Sequence, residues 1–584
     1  MQAAVSSVEA QYDQIVREDI ALFRSQVQDF LSGKLTDDEF RALRLRRGIY
    51  GQRQPNTQMV RTKVPGGLCT VAQMERMADI ADKYAEGRGH LTTRQNMQFH
   101  FIPLANVPEL LTELADVRLT TREACYNTVR NVTGCPLAGI CPDEVFDISP
   151  YLRQAAFAFL HKELTDHMPR KFKISFSGCG TGDCMAGGIH DMGFTALIRD
   201  GQKGFRVVAA GGLGPLPSEA QVLDEFLPVE RLVNRCEAVL RVFGKYGNRK
   251  NKHKARLKFI IRERTWDWFK EQVEKEYADI LENGGIEVPL EIPEGFGAHS
   301  NQPRKLGQEQ LLPVLPDLPA DYEKWLATNV RAQRQIGNAI VTIKVPQGNL
   351  TSTQMRAMAQ VARSAADGLL RITIDQNVSI GWVPQNRLRE VYAVLQQAKL
   401  AEYGADEIDD IVTCPGAWSC NLGITKTMNL GEALRHTVSD HPDALVRKLH
   451  IKASGCPNSC GQHWIGDIGF FGNVRKLEGK EVPYYAFLLG GGKDREGMLK
   501  YAFTIQSLPA KSVPEAVRRV LEHYVANRQE GELFREYVIR HKVETFRTLT
   551  ADLAKPNSLD PDAFLDWGDT DAFSLQLGRA ECAA

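Results

Sequence analysis

The chain has 584 residues, 72 basic against 72 acidic side chains, a hydrophobic fraction of 43% and twelve cysteines. That length supplies several large cores and excludes a disulfide-stapled miniature, and the composition excludes disordered and membrane-embedded classes. Balanced charge provides no global field toward nucleic acid or anionic lipid, so neither is expected as a partner.

The opening stretch to Asp19 lacks an apolar segment and carries Glu9 and Asp13 early, which predicts no signal or transit peptide. Apolar runs elsewhere are broken by Lys, Arg, Gly or Asp, so no span is expected and the setting reads as cytoplasmic. In that setting paired thiols point to metal or redox chemistry.

In chain order, residues 1–50 read as a helical arm and residues 51–118 as a small unit. Met59–Val64 alternates like a strand, Thr70–Ala85 has helical periodicity opened by a Thr cap, Gln95–Ile102 is a second strand, and Val107–Leu114 a helix. Residues 119–287 form a larger α/β unit, and 288–325 are a Pro-rich connector. The small unit then recurs at 326–402. Lys63-Val64-Pro65 becomes Lys344-Val345-Pro346, a shift of 281, and the same shift carries Thr70 to Thr351, Gln73 to Gln354, Met77 to Met358 and Gln95-Asn96 to Gln376-Asn377. Two chance amphipathic helices would not hold that register, so the chain is read as an internal duplication. The second copy predicts a strand at Ile340–Val345, a helix at Thr351–Ala366, a strand over Arg371–Val383 and a helix at Leu388–Leu400. Residues 403–546 repeat the larger unit at shifts of 279 and 277, and 547–584 form an acidic tail that wraps the body or stays mobile.

Cys414-x5-Cys420 is followed, after 35 intervening residues, by Cys456-x3-Cys460. Four soft thiolates on two tight Gly/Pro turns suit an iron–sulfur cube; zinc, which favours shorter C-x2–4-C pairs, and free thiols remain alternatives on spacing alone.

CPGAWSC with SGCPNSCG, preceded by the duplicated units, TTRQNMQFH and PRKFK, resembles the sulfite and nitrite reductases that carry sirohaem beside a [4Fe-4S] cluster. The resemblance covers about Tyr12 to Phe546. It implies an α+β fold: a pseudo-twofold pair of ferredoxin-like half-domains plus two sirohaem/[4Fe-4S]-binding α/β domains. It also implies Cys414, Cys420, Cys456 and Cys460 as cluster ligands, with Cys460 the thiolate shared with the sirohaem iron, and Arg94, Arg130, Lys171 and Lys173 as the anion-binding set. The second copy lacks that full set: Arg94 becomes Asp375, Arg130 falls at Asp410 or Ile411, and Lys171 and Lys173 become Lys448 and His450. The chemistry agrees, because a buried oxyanion needs convergent cations, and a lysine also carries protons to a leaving oxygen.

Sirohaem carries eight carboxylates, and the resemblance sets the basic run Asn248–Lys258 against its rim, with Lys254 and Arg256 as preferred contacts and Arg249 and Lys252 behind them. A nucleic-acid patch or a solvated helix face are the alternatives for that run, but no nucleic-acid motif accompanies it. Cys135-x5-Cys141 and Cys179-x4-Cys184 mirror the cluster motif in the first copy, one residue longer in the second pair. They read either as buried remnants or as a second iron–sulfur cluster.

The function expected is six-electron reduction of sulfite to sulfide, with nitrite to ammonia as the alternative and a non-catalytic iron–sulfur or zinc-binding interaction protein as a second one. No flavin or nicotinamide fingerprint is visible, so a ferredoxin or a separate flavoprotein is the expected donor.

Overall fold

The computed structural model describes residues 2–180, 182–290, 319–556, 559–578 and 581, with side chains from residue 13 onward. Most of the Pro-rich connector, and Cys582, lie outside the described residues.

The two small units are built alike. Helix Val71–Tyr84 starts at a capping box in which Thr70 and Gln73 exchange side-chain and backbone hydrogen bonds, and helix Ser352–Ala365 starts at the same box between Thr351 and Gln354. Each box satisfies two otherwise orphaned amides, and its cap residue contributes about 1 kcal/mol. The apolar faces of both helices enter one core. Met74, Met77, Met355 and Met358 are all buried in it, and the two helices lie against each other.

One expected element is corrected. Arg371–Val383 is not a single strand but a hairpin, Leu369–Ile372 and Val378–Pro384, turned by Thr373 to Asn377 with Gln376 at φ 68°. The first copy has the same hairpin, Arg88–Leu91 and Met97–Pro103, with Gln95 at φ 55°. Alternation runs through such a tight turn almost unbroken, so periodicity alone misses it.

The copies exchange strands. Asn349–Thr351 pairs with Arg88–Leu91, and Leu68–Thr70 pairs with Leu369–Ile372, so each five-stranded sheet ends on a strand from the other copy. Gln95 and Gln376 repeat the reciprocity: Gln95 Nε2 donates to the Ile372 carbonyl at 3.0 Å and Gln376 Nε2 to the Leu91 carbonyl at 2.8 Å. Each half's own four strands are thus covered at one edge by the other half.

The larger units also match. In the first, strands Thr133–Gly134, Ile174–Ser177 and Met192–Arg199 run parallel before Gln202–Ala209 and Gln221–Pro228 turn antiparallel. In the second, Val412–Thr413, Ile451–Ser454 and Ile468–Leu477 do the same before Lys480–Leu489 and Phe503–Pro509. Each sheet is backed by its own apolar core. The tail packs on the body: Asp566 is buried and accepts from the Lys426 amide, and Glu581 pairs with Arg44 at 2.5 Å.

Candidate active site

The second-copy cysteines sit on loops leaving the same ends of two adjacent parallel strands. Cys414 follows Val412–Thr413 and Cys456 follows Ile451–Ser454. Glycines let the loops meet: a Cβ on Gly455 would lie 2.6 Å from the Gly416 Cα, and one on Gly423 would lie 2.4 Å from the Gly416 carbonyl carbon. No residue but glycine allows that approach. Trp418, inside the first cysteine pair, anchors the loop edge-on against Phe101 at 4.8 Å between centroids. The Gly455 amide donates to Cys414 Sγ at 3.2 Å.

A cavity of about 370 Å³ is lined by Cys414, Cys420, Cys456 and Cys460 and, from the first copy, by Arg94, Arg130, Lys171 and Lys173. All eight residues selected from sequence for cluster and anion therefore meet in one space. Arg94 is carried on the hairpin turn Thr92–Asn96, Arg130 just after the bridge between Val129 and Phe172, and the two lysines flank Phe172 on the approach to Ile174–Ser177.

Electrostatics distinguish these cations. Arg130 is tied down, donating to the Tyr126 and Ala124 carbonyls and to the Tyr50 hydroxyl. Arg94 donates to His190 Nε2 at 2.7 Å and to the Asn131 carbonyl, while its Nε has no partner. Burial and then Arg130 push its guanidinium down to about 9. Burial, followed by Arg94, Lys171 and Arg256, holds the Lys173 ammonium well below the ordinary lysine range. Such a shift marks uncompensated positive charge in low dielectric, which an entering anion relieves. His190 is neutral for the same reasons, burial first and then Arg94 and Lys173; with the Ala186 carbonyl 2.9 Å from Nδ1, the proton is assigned to Nδ1 and Nε2 accepts from Arg94.

The basic run 249–256 divides differently from the expected order. Lys252 and His253 line the cavity, whereas Lys254, the preferred contact, is exposed and does not. Arg249 donates to the His167 and Gly244 carbonyls outside it. Arg256 is buried in an ion pair with Asp191 at 2.8 Å, and Asp191 also accepts from the Lys173 amide at 2.8 Å. Arg256 therefore positions Lys173 through Asp191 and does not itself reach the cavity.

Sequence reasoning missed Asn131, His190, Asp191 and Glu581. Asn131 Nδ2 donates to the Arg94 carbonyl at 2.8 Å, and its Oδ1 is buried without a partner on the cavity wall. Asp191 had a usable signal, since it recurs as Asp467, whose carboxylate accepts from the His450 amide as Asp191 accepts from Lys173. Glu581 lines the cavity from the far end of the chain, a long-range contact with no local signature.

The family model for the nitrite and sulphite reductase 4Fe-4S domain matches residues 125–281 and 404–556, and that for the nitrite/sulfite reductase ferredoxin-like half domain matches 50–122 and 331–398. The chain belongs to this family. It is 28% identical over 550 residues to an assimilatory ferredoxin-dependent nitrite reductase of Haloferax mediterranei, covering 90% of this chain and 89% of that one. It is 30% identical to a chloroplastic ferredoxin–nitrite reductase of Arabidopsis thaliana, covering 80% and 77%, and 27% identical to a ferredoxin sulfite reductase of Mycolicibacterium paratuberculosis, covering 84% and 83%. The solved structure of the Mycobacterium tuberculosis NirA protein superposes with a TM-score of 0.73 at 25% identity, covering 90% of this chain and 95% of that one.

The expected cofactors, a [4Fe-4S] cluster and sirohaem, are those of this family, and the site fits both. Four thiols and the cations Arg94, Arg130, Lys171 and Lys173 line the same cavity, and buried polar atoms of Arg94 and Asn131 there have no partner.

Proposed function

We propose that the protein reduces sulfite to sulfide with six electrons, using the cavity shared by the two copies. Cys414, Cys420, Cys456 and Cys460 would hold the cube, with Cys460 the thiolate shared with sirohaem, and Lys252 would meet the macrocycle's carboxylates. Sirohaem, when bound, supplies the metal that takes the substrate's central atom and delivers electrons to it.

The chain's own residues do the rest. Arg94, whose Nε is unengaged, would orient the oxyanion's oxygens through its planar donors, and Arg130, fixed by the Tyr126, Ala124 and Tyr50 bonds, adds compensating positive charge. Lys171 and Lys173 hold protons beside the oxygens that leave as water, and as preorganised charges they favour the more negative transition state. The observation carrying the choice of sulfite is the charge balance. Arg94, Arg130, Lys171 and Lys173 line the cavity together with Arg61, Arg170 and Lys252, while Glu581, the carboxylate on its wall, is already engaged by Arg44, and Asp191 behind Lys173 by Arg256. Such an excess matches a dianion better than the monoanion nitrite.

Nitrite to ammonia is the second reading, favoured by the names of relatives such as the Haloferax and Arabidopsis enzymes. A non-catalytic cluster protein would have no use for the four cations. Those relatives' names also point to ferredoxin as donor, with a separate flavoprotein as the alternative. Steady-state kinetics with both substrates under one reduced artificial donor test the choice. A higher kcat/KM for sulfite is expected, and a higher value for nitrite replaces this reading with the second.

A further inference from the structure

The first copy retains a cysteine constellation that the catalytic cavity does not use. Cys135, Cys141, Cys179 and Cys184 are absent from the cavity wall, yet their loops are built as the second copy's are. Cys135 follows strand Thr133–Gly134 and Cys179 follows Ile174–Ser177, adjacent and parallel. The Cys141 amide donates to the Leu137 carbonyl at 2.8 Å, as the Cys420 amide donates to Gly416 at 3.0 Å.

Even the clasps across the pseudo-twofold are twinned. Arg334 donates its amide to the Ile140 carbonyl and Gln335 its side chain to Gly139; Arg53 and Gln54 do the same to Ser419 and Trp418. The extra residue in the second cysteine pair has not dispersed the ligands. The sulfurs of Cys135, Cys179 and Cys184 lie within 4.8 Å of one another, and Cys141 reaches Cys179. Asp183, beside Cys184, is engaged by the Ser177 hydroxyl at 2.6 Å.

We propose that Cys135, Cys141, Cys179 and Cys184 bind a second, thiolate-held metal centre outside the catalytic cavity. Four converging thiolates favour a soft, charge-compensating metal, zinc or iron. Three of the four sulfurs already lie within 4.8 Å of one another, near the spacing of about 3.8 Å that metal–sulfur bonds of about 2.3 Å set around a single tetrahedral ion, and Cys141, held at Cys179, closes in as the fourth ligand. Among the described residues the second-copy cysteines form no group so tight, and a cube on the first-copy set would require those sulfurs to spread. The centre carries no oxyanion chemistry of its own: Asp375, at the position of Arg94, pairs with Lys452 at 2.5 Å.

The test is a count of zinc, iron and acid-labile sulfide per chain on holoprotein purified anaerobically, in the wild type and in Cys135→Ser with Cys184→Ser. The wild type is expected to carry metal beyond the about five irons of one cube and one sirohaem. One added ion without sulfide identifies a single-ion centre, and about four added irons with four sulfides a cube. The double variant should lose only that increment and keep its sirohaem absorption. About five irons, four sulfides and no zinc in the wild type would overturn the proposal, as would a variant retaining the increment. The wild-type count decides even if the variant does not fold, and it does not depend on substrate preference.

Discussion

Thr93 donates its hydroxyl to the Cys460 carbonyl at 2.8 Å, a bond between residues 367 positions apart that ties the first copy's hairpin turn to the second copy's cysteine loop. Gln462 Nε2 returns a bond to the Thr93 carbonyl at 3.4 Å. The Arg94 turn and the Cys460 turn are thereby one unit, which is how two copies with different residues build a single cavity.

Thr93→Val keeps the shape and removes the bond. A hydrogen bond of this kind contributes about 1 kcal/mol, and misplacing Cys460 should lower kcat by about fivefold or more. Sirohaem absorption and the thermal midpoint should stay close to wild type. Turnover, an absorption spectrum and a melting curve check this together.

On the proposed role of Lys173, the site's pH dependence should follow that residue. The protonated ammonium is the active form, so kcat/KM should fall as pH rises through its pKa, and burial with its cationic neighbours brings that limb below the ordinary lysine range. Lys171→Ala removes one of those neighbours, so the pKa of Lys173 rises and the falling limb moves to higher pH even as the maximum rate drops. Profiles measured with nitrite, which stays a monoanion across this range, isolate the effect.

Asp191 is fully buried between Arg256 and the Lys173 amide. Asp191→Asn leaves the Arg256 charge buried without its counter-ion, a loss of about 3–5 kcal/mol. Chemical denaturation should show it directly. Restoring volume without charge is not enough, so Asp191→Leu should be no better.

Much of this arrangement is legible in the sequence because duplication doubles each signal. The capping boxes at Thr70 and Thr351, the strand-to-loop positions of the cysteines and the asymmetry between Arg94 and Asp375 can all be read from one chain compared with itself. The hairpin turns at Gln95 and Gln376 escape because a left-handed residue does not interrupt alternation. Within the basic run, composition shows that cations are present but not which way they face. Lys252 turns to the cavity, Lys254 to solvent and Arg256 to Asp191. Asn131 and Glu581 escape for another reason: their roles come from contacts across the fold, and no local pattern encodes those.

The central claim is that the first copy's cations and the second copy's cysteine centre act together to carry sulfite fully to sulfide. The most direct measurement is the ratio of donor electrons consumed to sulfide formed, in wild type and in Arg94→Ala with Lys173→Ala. The wild type should consume six electrons per sulfide, and the double variant should keep its cofactor absorption while losing about a hundredfold or more in kcat/KM. A wild type that consumes sulfite without forming sulfide, or a double variant with unchanged turnover, would contradict the account.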